Sequence, residues 1–181
     1  MIEGQVLDLS AEGKPLSVEG YLEMARRKTG ALFGCALELG ALAGGRPDLR
    51  ELSLALGEEL GLAFQIRDDI LGIWGDPEKT GKPVGSDLLR KKRSVPVSFA
   101  LTRDPGLFPL LSAPERNLAE ILRRLSEVGA KEASERAVEK RIQKAEEIAK
   151  SSLGAMGRAR NSESFFRFGQ KGGVRWEGRF P

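Results

Sequence analysis

Apolar side chains recur every three to four residues through the first 150 positions, with charged side chains between them. This spacing is typical of amphipathic helices, because about 3.6 residues complete one helical turn. It predicts helices over residues 17–43, 48–75, 90–102, 114–128 and 130–150. Alternation of β-branched and polar residues, which marks a half-buried strand, is nowhere sustained. The predicted fold class is therefore all-α.

Capping residues, glycines and prolines set the predicted helix boundaries. Ser17 can cap the first helix with its hydroxyl, and residues 44–47, Gly-Gly-Arg-Pro, end that helix. Residues 76–88 combine two prolines and two glycines with mixed charges, so they are expected to form an ordered loop. Pro96 predicts either a kink in the helix over 90–102 or a later start for it.

The last 28 residues differ in composition from the rest of the chain. Six of the 22 glycines and five of the eleven aromatic residues lie there, without helical spacing. Residues 1–153 are therefore expected to form the folded domain, and residues 154–181 an irregular, disordered tail. That tail carries six Lys and Arg against two Asp and Glu, whereas the whole chain has a net charge of only +3. Since the basic excess lies outside the domain, no nucleic-acid partner is expected.

Rare and missing residue types narrow the possible chemistry. A single cysteine excludes an internal disulfide, and the absence of histidine excludes histidine bases and metal ligands. Chemistry is therefore expected to depend on carboxylates, Lys, Arg and backbone groups. Cys35, which has apolar neighbours on a predicted helix, is expected to be buried. Neither a signal peptide nor an apolar run that could span a bilayer is visible, which favours a cytoplasmic location.

Two adjacent carboxylates late in the second predicted helix are the central chemical feature. Gln65, Asp68 and Asp69 are spaced by three and four residues, so one helical face presents an amide and two carboxylates. Neighbouring carboxylates repel each other, and a hard cation such as Mg²⁺ relieves the repulsion because it prefers oxygen ligands. The pair is therefore either a magnesium site or a solvated, charged helix end.

Cations follow this pair along the chain. Lys82 and Lys92 flank a third carboxylate, Asp87, and the first predicted helix carries an ammonium and a hydroxyl at Lys28 and Thr29. Together these residues predict a phosphate site in which carboxylates hold Mg²⁺ while Lys and Thr contact phosphate oxygens.

The same segments resemble the trans-isoprenyl diphosphate synthases, which form the polyprenyl synthetase family. The family's second aspartate-rich region is similar to AFQIRDDILGIWGDPEKTGKPVGSDLLRKKRSVPVSFAL, its Lys-Thr helix to YLEMARRKTGALFGCALELGA, and its Gly-Gln-x-x-Asp stretch to GQVLDL. The resemblance implies a partial isoprenoid-synthase bundle of five to six helices, with Mg²⁺ as the cofactor. It also implies a prenyltransferase of isoprenoid biosynthesis, which condenses isopentenyl diphosphate with an allylic diphosphate.

The resemblance also implies a role for individual residues. The metal ligands are Asp8, Asp68, Asp69 and Asp87. The residues that bind the substrate diphosphate are Gln5, Lys28, Thr29, Gln65, Lys82 and Lys92. The catalytic residues among them are Lys28, Thr29 and Lys82. In the family, Mg²⁺ and cations stabilise the departing pyrophosphate, and the allylic carbocation then alkylates isopentenyl diphosphate.

Three features depart from the family pattern. Gly72 stands at the last position of the DDxxD motif, which is expected to weaken metal binding modestly. The family's first aspartate-rich motif has no counterpart upstream of Lys28, and the tail does not resemble the closing helix. We therefore expect the C-terminal half of a synthase, weakly active or inactive alone, that forms a homodimer or pairs with a complementary synthase chain. The alternatives are a non-catalytic regulatory or binding subunit of a full-length synthase and an inactive gene fragment.

Overall fold

A computed structural model describes residues 1–11 and 14–155, and this part of the chain is helical without any strand. The prediction of an all-α fold is confirmed. The helices are α1 (Ile2–Ser10), α2 (Val18–Ala25), α3 (Ala31–Ala43), α4 (Arg50–Trp74), α5 (Pro77–Thr80), α6 (Ser86–Leu89), α7 (Val95–Arg103), α8 (Leu107–Ser112), α9 (Leu118–Glu127) and α10 (Ala130–Ala155). A π-helical turn, Arg26–Gly30, joins α2 to α3, and a 3₁₀ turn, Pro47–Leu49, precedes α4.

Several predicted boundaries are confirmed. The helix expected over 17–43 comprises α2, the π-turn and α3, and the Gly20 N–H donates to Ser17 Oγ at 3.0 Å, which caps α2. The helix α4 fills nearly all of the range predicted for the second helix. Pro96 lies in the first turn of α7, where a backbone N–H is not needed, and so explains the late start of that helix.

Other predicted boundaries are wrong. The expected loop over 76–88 contains the short helices α5 and α6. The helix expected to begin at Pro114 begins at Leu118, because the Asn117 side chain accepts a hydrogen bond from the Glu120 N–H and caps α9 there. The helices α1 and α8 were not predicted. The last helix continues to Ala155, and the rest of the predicted tail, residues 156–181, lies outside the described residues.

Two apolar clusters follow one another along the C-terminal half of the central helix α4. The first joins α2, α4, α7 and α10, and its large buried members are Tyr21, Met24, Leu62, Ile66, Ile70, Val95 and Val138. The second joins the end of α4 to α6–α9, and its large buried members are Ile73, Leu88, Val97, Leu107, Leu111, Ile121 and Leu125. Trp74 packs against both clusters. Ile66, Ile70 and Ile73 lie on one face of α4, so packing along that face fixes the orientation of the last turns, which carry Asp68 and Asp69.

Glycines bring α4 into backbone contact with α3 and the π-turn. A Cβ on Gly57 would lie 2.2 Å from the backbone nitrogen of Gly34, and a Cβ on Gly61 would lie 2.6 Å from the Cα of Gly30. No larger residue fits at Gly57 or Gly61 without moving the helices apart. This close approach brings the Lys28–Thr29 pair of the π-turn beside α4.

The opposite side of α3 is exposed. Leu32, Leu39 and Leu42 are about half exposed, and Cys35 lies on the exposed surface. The expected burial of Cys35 is therefore wrong, because α3 packs on α4 through its glycines and turns its larger apolar side chains outward. In the described part of the chain, none of the helices combines the length and apolar composition that crossing a membrane requires.

Candidate metal and diphosphate site

Three carboxylates from two helices meet at the end of α4. Asp68 and Asp69 lie on α4, and Asp87 lies on α6. One oxygen of each lies within 4.8 Å of the other two. The Asp69 side chain is fully buried and that of Asp87 nearly so, whereas the Asp68 side chain is 46% exposed. The cluster is therefore a buried pair of carboxylates with a third at its open side.

The short helix α6 is anchored beside the last turns of α4. The Ser86 hydroxyl donates to the Gly72 carbonyl at 3.3 Å, and the Gly85 N–H donates to the Ile73 carbonyl at 3.0 Å. Leu88 is buried in the second apolar cluster. These contacts hold Asp87 against α4.

Lys92 lies at the centre of the three carboxylates. Its Nζ is 3.1 Å from Asp68 Oδ2, 3.2 Å from Asp69 Oδ1 and 3.0 Å from Asp87 Oδ2. Burial opposes the charge on Lys92, but the Asp69, Asp87 and Asp68 carboxylates outweigh it and raise the Lys92 pKa. Lys92 is therefore an ammonium ion at neutral pH.

The backbone that ends α6 directs Lys92 to this position. The Lys92 N–H donates to the Asp87 carbonyl at 3.0 Å, and the Lys91 N–H donates to the Leu88 carbonyl at 3.2 Å. This is the hydrogen-bond pattern of a Schellman motif, in which the residue after the helix cap is left-handed. That residue is Lys91, with φ of +59°. The motif turns the chain so that Lys92 and Asp87 lie side by side.

Asp69 is held by neutral donors as well as by Lys92. The Val95 N–H donates to Asp69 Oδ2 at 3.1 Å, and Gln65 Nε2 lies 3.5 Å from Asp69 Oδ1. The Tyr21 hydroxyl, on α2, also favours the charged form of this carboxylate and lowers its pKa. Burial raises the pKa of Asp69 to about 6, although Lys92 and these donors act in the opposite direction. Burial and the Asp69 charge raise the pKa of Tyr21 well above its usual range, so Tyr21 remains a donor.

The π-turn presents Lys28 and Thr29 to the same region. The Thr29 hydroxyl donates to Gln65 Oε1 at 2.8 Å, which links the turn to the amide beside Asp69. Lys28 Nζ lies 2.7 Å from Asp8 Oδ2. A Cβ on Gly4 would lie 2.4 Å from the Lys28 nitrogen, so α1 contacts the turn by its backbone and Asp8, one helical turn later, reaches Lys28. Such π-turns inside helices occur frequently at functional sites.

An open pocket of about 600 Å³ adjoins the carboxylates. Its lining consists of charged side chains, namely Asp8, Lys82, Asp87, Arg90, Lys91, Lys92 and Arg93. Four of the residues predicted from the sequence, Asp8, Lys82, Asp87 and Lys92, are therefore brought together here. Gln5 is exposed on α1 and is not among the residues of the described chain that line the pocket.

Besides the pocket cations Arg90, Lys91 and Arg93, Tyr21 and Arg116 contribute to the site and were not predicted. Tyr21 lies seven residues before Lys28, two helical turns away, and that spacing could have indicated a shared face. Arg116 lies in the connection between α8 and α9, and its Nη1 donates to the Leu89 carbonyl at 2.8 Å and the Leu88 carbonyl at 3.3 Å. It thereby fixes the end of α6, and no sequence pattern indicates such a contact.

The donor set fits a hard divalent cation and a phosphate ligand. Mg²⁺ prefers carboxylate oxygens and keeps open positions for substrate phosphates, and Asp68, Asp69 and Asp87 offer such oxygens within one small volume. The lysines and arginines of the pocket offer the charged donors that phosphates favour.

Comparisons with known proteins identify the chain's family. Residues 1–139 match the family model "Polyprenyl synthetase". The chain is 53% identical over 100 residues to geranylgeranyl diphosphate synthase from Mycobacterium tuberculosis. This alignment covers 54% of this chain and 29% of that protein. It is also 38% identical over 135 residues to heptaprenyl diphosphate synthase component 2 from Geobacillus stearothermophilus. That alignment covers 73% of this chain and 41% of the relative.

A solved structure shares the fold. Geranylgeranyl pyrophosphate synthase from Corynebacterium glutamicum, complexed with isoprenyl diphosphate and magnesium, superposes with a TM-score of 0.73 at 34% identity, over 82% of this chain and 45% of that one. The chain thus spans less than half the length of these relatives. Because the family model matches most of the chain, the sequence and the fold lead to one conclusion: this protein belongs to the polyprenyl synthetase family.

Proposed function

We propose that the chain provides a magnesium–diphosphate half-site of a prenyl diphosphate synthase, a prenyltransferase that condenses isopentenyl diphosphate with an allylic diphosphate. The observation that carries the proposal is the convergence of Asp68, Asp69 and Asp87 beside a pocket lined by cations. A solvated helix end, the other interpretation of the aspartate pair, does not account for a fully buried Asp69. Buried carboxylates require specific partners.

In this proposal the three carboxylates hold Mg²⁺, which when bound neutralises charge on the diphosphate. Lys82 from the α5–α6 connection and Lys28 from the π-turn contact the diphosphate oxygens, and Thr29 and Gln65 supply neutral donors. The cations lower the energetic cost of the negative charge that develops on the departing pyrophosphate. Asp8 orients Lys28 through their ion pair, and Gln5 on α1 stays a predicted diphosphate contact.

An apolar surface next to the carboxylates supports a prenyl substrate. Phe64 precedes Asp68 by one helical turn and is 54% exposed. Its ring lies 5.4 Å from that of Phe33, which follows Thr29 by one turn. The two rings therefore extend an apolar surface along α3 and α4 from the proposed diphosphate contacts, as an amphiphilic substrate requires.

The first candidate partner is a chain that carries the other aspartate-rich motif. Asp68-Asp69 is the one pair of adjacent aspartates in the 181-residue sequence, so we expect little or no prenyl transfer by this chain alone. A homodimer or pairing with a complementary synthase chain would place a second half-site nearby. The second candidate function is a non-catalytic regulatory subunit, favoured by the similarity to a protein named as a synthase component.

Equilibrium binding of farnesyl diphosphate tests the proposed function. Binding should require Mg²⁺ and disappear in EDTA. Lys82→Ala should weaken it by about tenfold, since hydrogen bonds to charged groups contribute about 1.5–3 kcal/mol. Lys79→Ala is the matched control, because Lys79 is an exposed lysine in the preceding helix and does not line the pocket. Equal losses in both variants, or binding that is independent of Mg²⁺, would contradict the proposal.

Assays with a second chain separate the two candidate functions. For a catalytic half-site, prenyl transfer should arise when the parent chain is mixed with a chain that carries the first motif, and the Asp68→Ala/Asp69→Ala variant should fail. For a regulatory subunit, the parent and the double variant should change the rate of a full-length synthase equally.

A further inference from the structure

The position of Lys92 suggests a role beyond substrate binding. Its ammonium makes near-equal contacts of 3.0–3.2 Å with all three carboxylates, and so lies where a metal shared by them would lie. Mg²⁺ needs those oxygens at about 2.1 Å. Two cations a few ångströms apart repel each other strongly in a partly buried site. The ammonium and the metal therefore compete for one position.

We infer that Lys92 is a resident cation, which holds the three carboxylates together while no metal is bound and leaves them when Mg²⁺ arrives. This inference rests on the proposed function, because it treats Asp68, Asp69 and Asp87 as the metal ligands.

The structure also provides a place to which the ammonium can move. The Lys92 side chain is 34% exposed and lines the open pocket together with Lys82 and Arg93. Its backbone is fixed by the Schellman hydrogen bond to Asp87, but the four-carbon stem of a lysine rotates freely and carries a compact charge. The ammonium can thus leave the carboxylates for the pocket without any change in the backbone.

A diphosphate in the pocket would receive the displaced charge. Mg²⁺ alone must remove Lys92 from three carboxylates and leave it among other cations, Lys82, Lys91 and Arg93. When a diphosphate is present, Lys92 exchanges one set of anionic oxygens for another. Lys92 therefore couples the two ligands, so that each raises the affinity for the other, and by linkage the effect is reciprocal.

This role predicts that removing the lysine strengthens metal binding, the opposite of what loss of a supporting contact would do. Calorimetric titration of Mg²⁺, with and without pyrophosphate, tests it on the parent chain, Lys92→Met and the control Lys79→Met. Lys92→Met should bind Mg²⁺ alone about tenfold more tightly or better, and pyrophosphate should enhance that binding less than in the parent. Lys79→Met should behave as the parent does.

Thermal unfolding in EDTA adds a readout that does not depend on metal binding. Lys92→Met should lower the Tm there, because three carboxylates lose their cation, and Mg²⁺ should restore it. Lys92→Gln, which keeps a polar donor, replaces Lys92→Met if that variant does not fold. Unchanged or weaker Mg²⁺ affinity in a folded Lys92 variant would overturn the inference and leave the proposed function intact. Absence of Mg²⁺ binding by the parent and by both Lys92 variants would overturn the inference and the proposed function together.

Discussion

The carboxylate of Asp87 lies where a side chain on residue 72 would point. A Cβ built on Gly72 would be 2.2 Å from Asp87 Oδ2 and 2.4 Å from its Cγ. Gly72 occupies the motif position where the family pattern has a third aspartate, and α6 brings Asp87 into the space that this glycine leaves open. The third carboxylate of the cluster therefore comes from a separate helix rather than from α4.

This relationship predicts that Gly72→Ala damages the site although alanine favours helices. Asp87 must turn away from Lys92, and overpacking of this kind costs about 1–3 kcal/mol. Chemical unfolding should show a loss of that size. Gly40→Ala is the control, because no atom outside its own helix lies within 4 Å of a Cβ there, and it should stabilise α3 by about 0.5–1 kcal/mol. A Gly72→Ala variant at least as stable as the parent would show that Asp87 is not confined there.

Arg116 positions Asp87 and Lys92 from outside the site. Arg116→Ala removes the donors to the Leu88 and Leu89 carbonyls, so the end of α6 should loosen. We expect a loss of about 1–3 kcal/mol in stability, together with weaker Mg²⁺–pyrophosphate binding in calorimetry. Arg123→Ala removes only exposed ion pairs on α9 and should change stability by less than about 1 kcal/mol. Equal effects of the two substitutions would contradict this role for Arg116.

The raised pKa of Asp69, about 6, predicts an unusual pH dependence in metal-free buffer. Between pH 4 and 6 the folded chain binds more protons at Asp69 than the unfolded chain, so stability falls as pH rises through this window. The raised pKa of Asp69 changes the free energy of unfolding across this window by an amount on the order of 2–3 kcal/mol. Asp69→Asn removes it, and the stability of the parent minus that of the variant should decline between pH 4 and 6. A constant difference would show that the Asp69 pKa is not raised.

The exposed apolar side of α3 predicts self-association. Leu39 and Leu42 are about half exposed on neighbouring turns, and contiguous apolar surface of this kind promotes contacts between proteins. Light scattering should show an average mass that increases with protein concentration. Leu39→Glu/Leu42→Glu should make this increase smaller. Val84→Glu, at an exposed residue of the α5–α6 connection, should not. A parent chain that stays monomeric at every concentration would contradict this expectation.

The sequence was sufficient to predict the long helices and most of the candidate site. The spacing of Gln65, Asp68 and Asp69 depends only on helical geometry, and the segments similar to the family supplied Lys28, Thr29 and Lys82. The central position of Lys92 was not predictable, because it depends on a left-handed residue at Lys91 and on a glycine twenty positions upstream. Burial of Cys35 was wrongly expected, since helical periodicity does not show which side of α3 faces α4.

The proposed half-site requires that Asp68 and Asp69 hold Mg²⁺ for a diphosphate. Calorimetric titration of Mg²⁺ with and without pyrophosphate tests it most directly, on the parent chain, on Asp68→Ala/Asp69→Ala and on the control Asp76→Asn/Glu78→Gln. The control removes two exposed acidic groups of the α4–α5 region that lie outside the cluster. We expect weak Mg²⁺ binding that pyrophosphate strengthens in the parent and the control, and an affinity at least about tenfold lower in the double aspartate variant. If that variant bound Mg²⁺–pyrophosphate as tightly as the parent, the aspartates would be a charged helix end and the claim would be wrong.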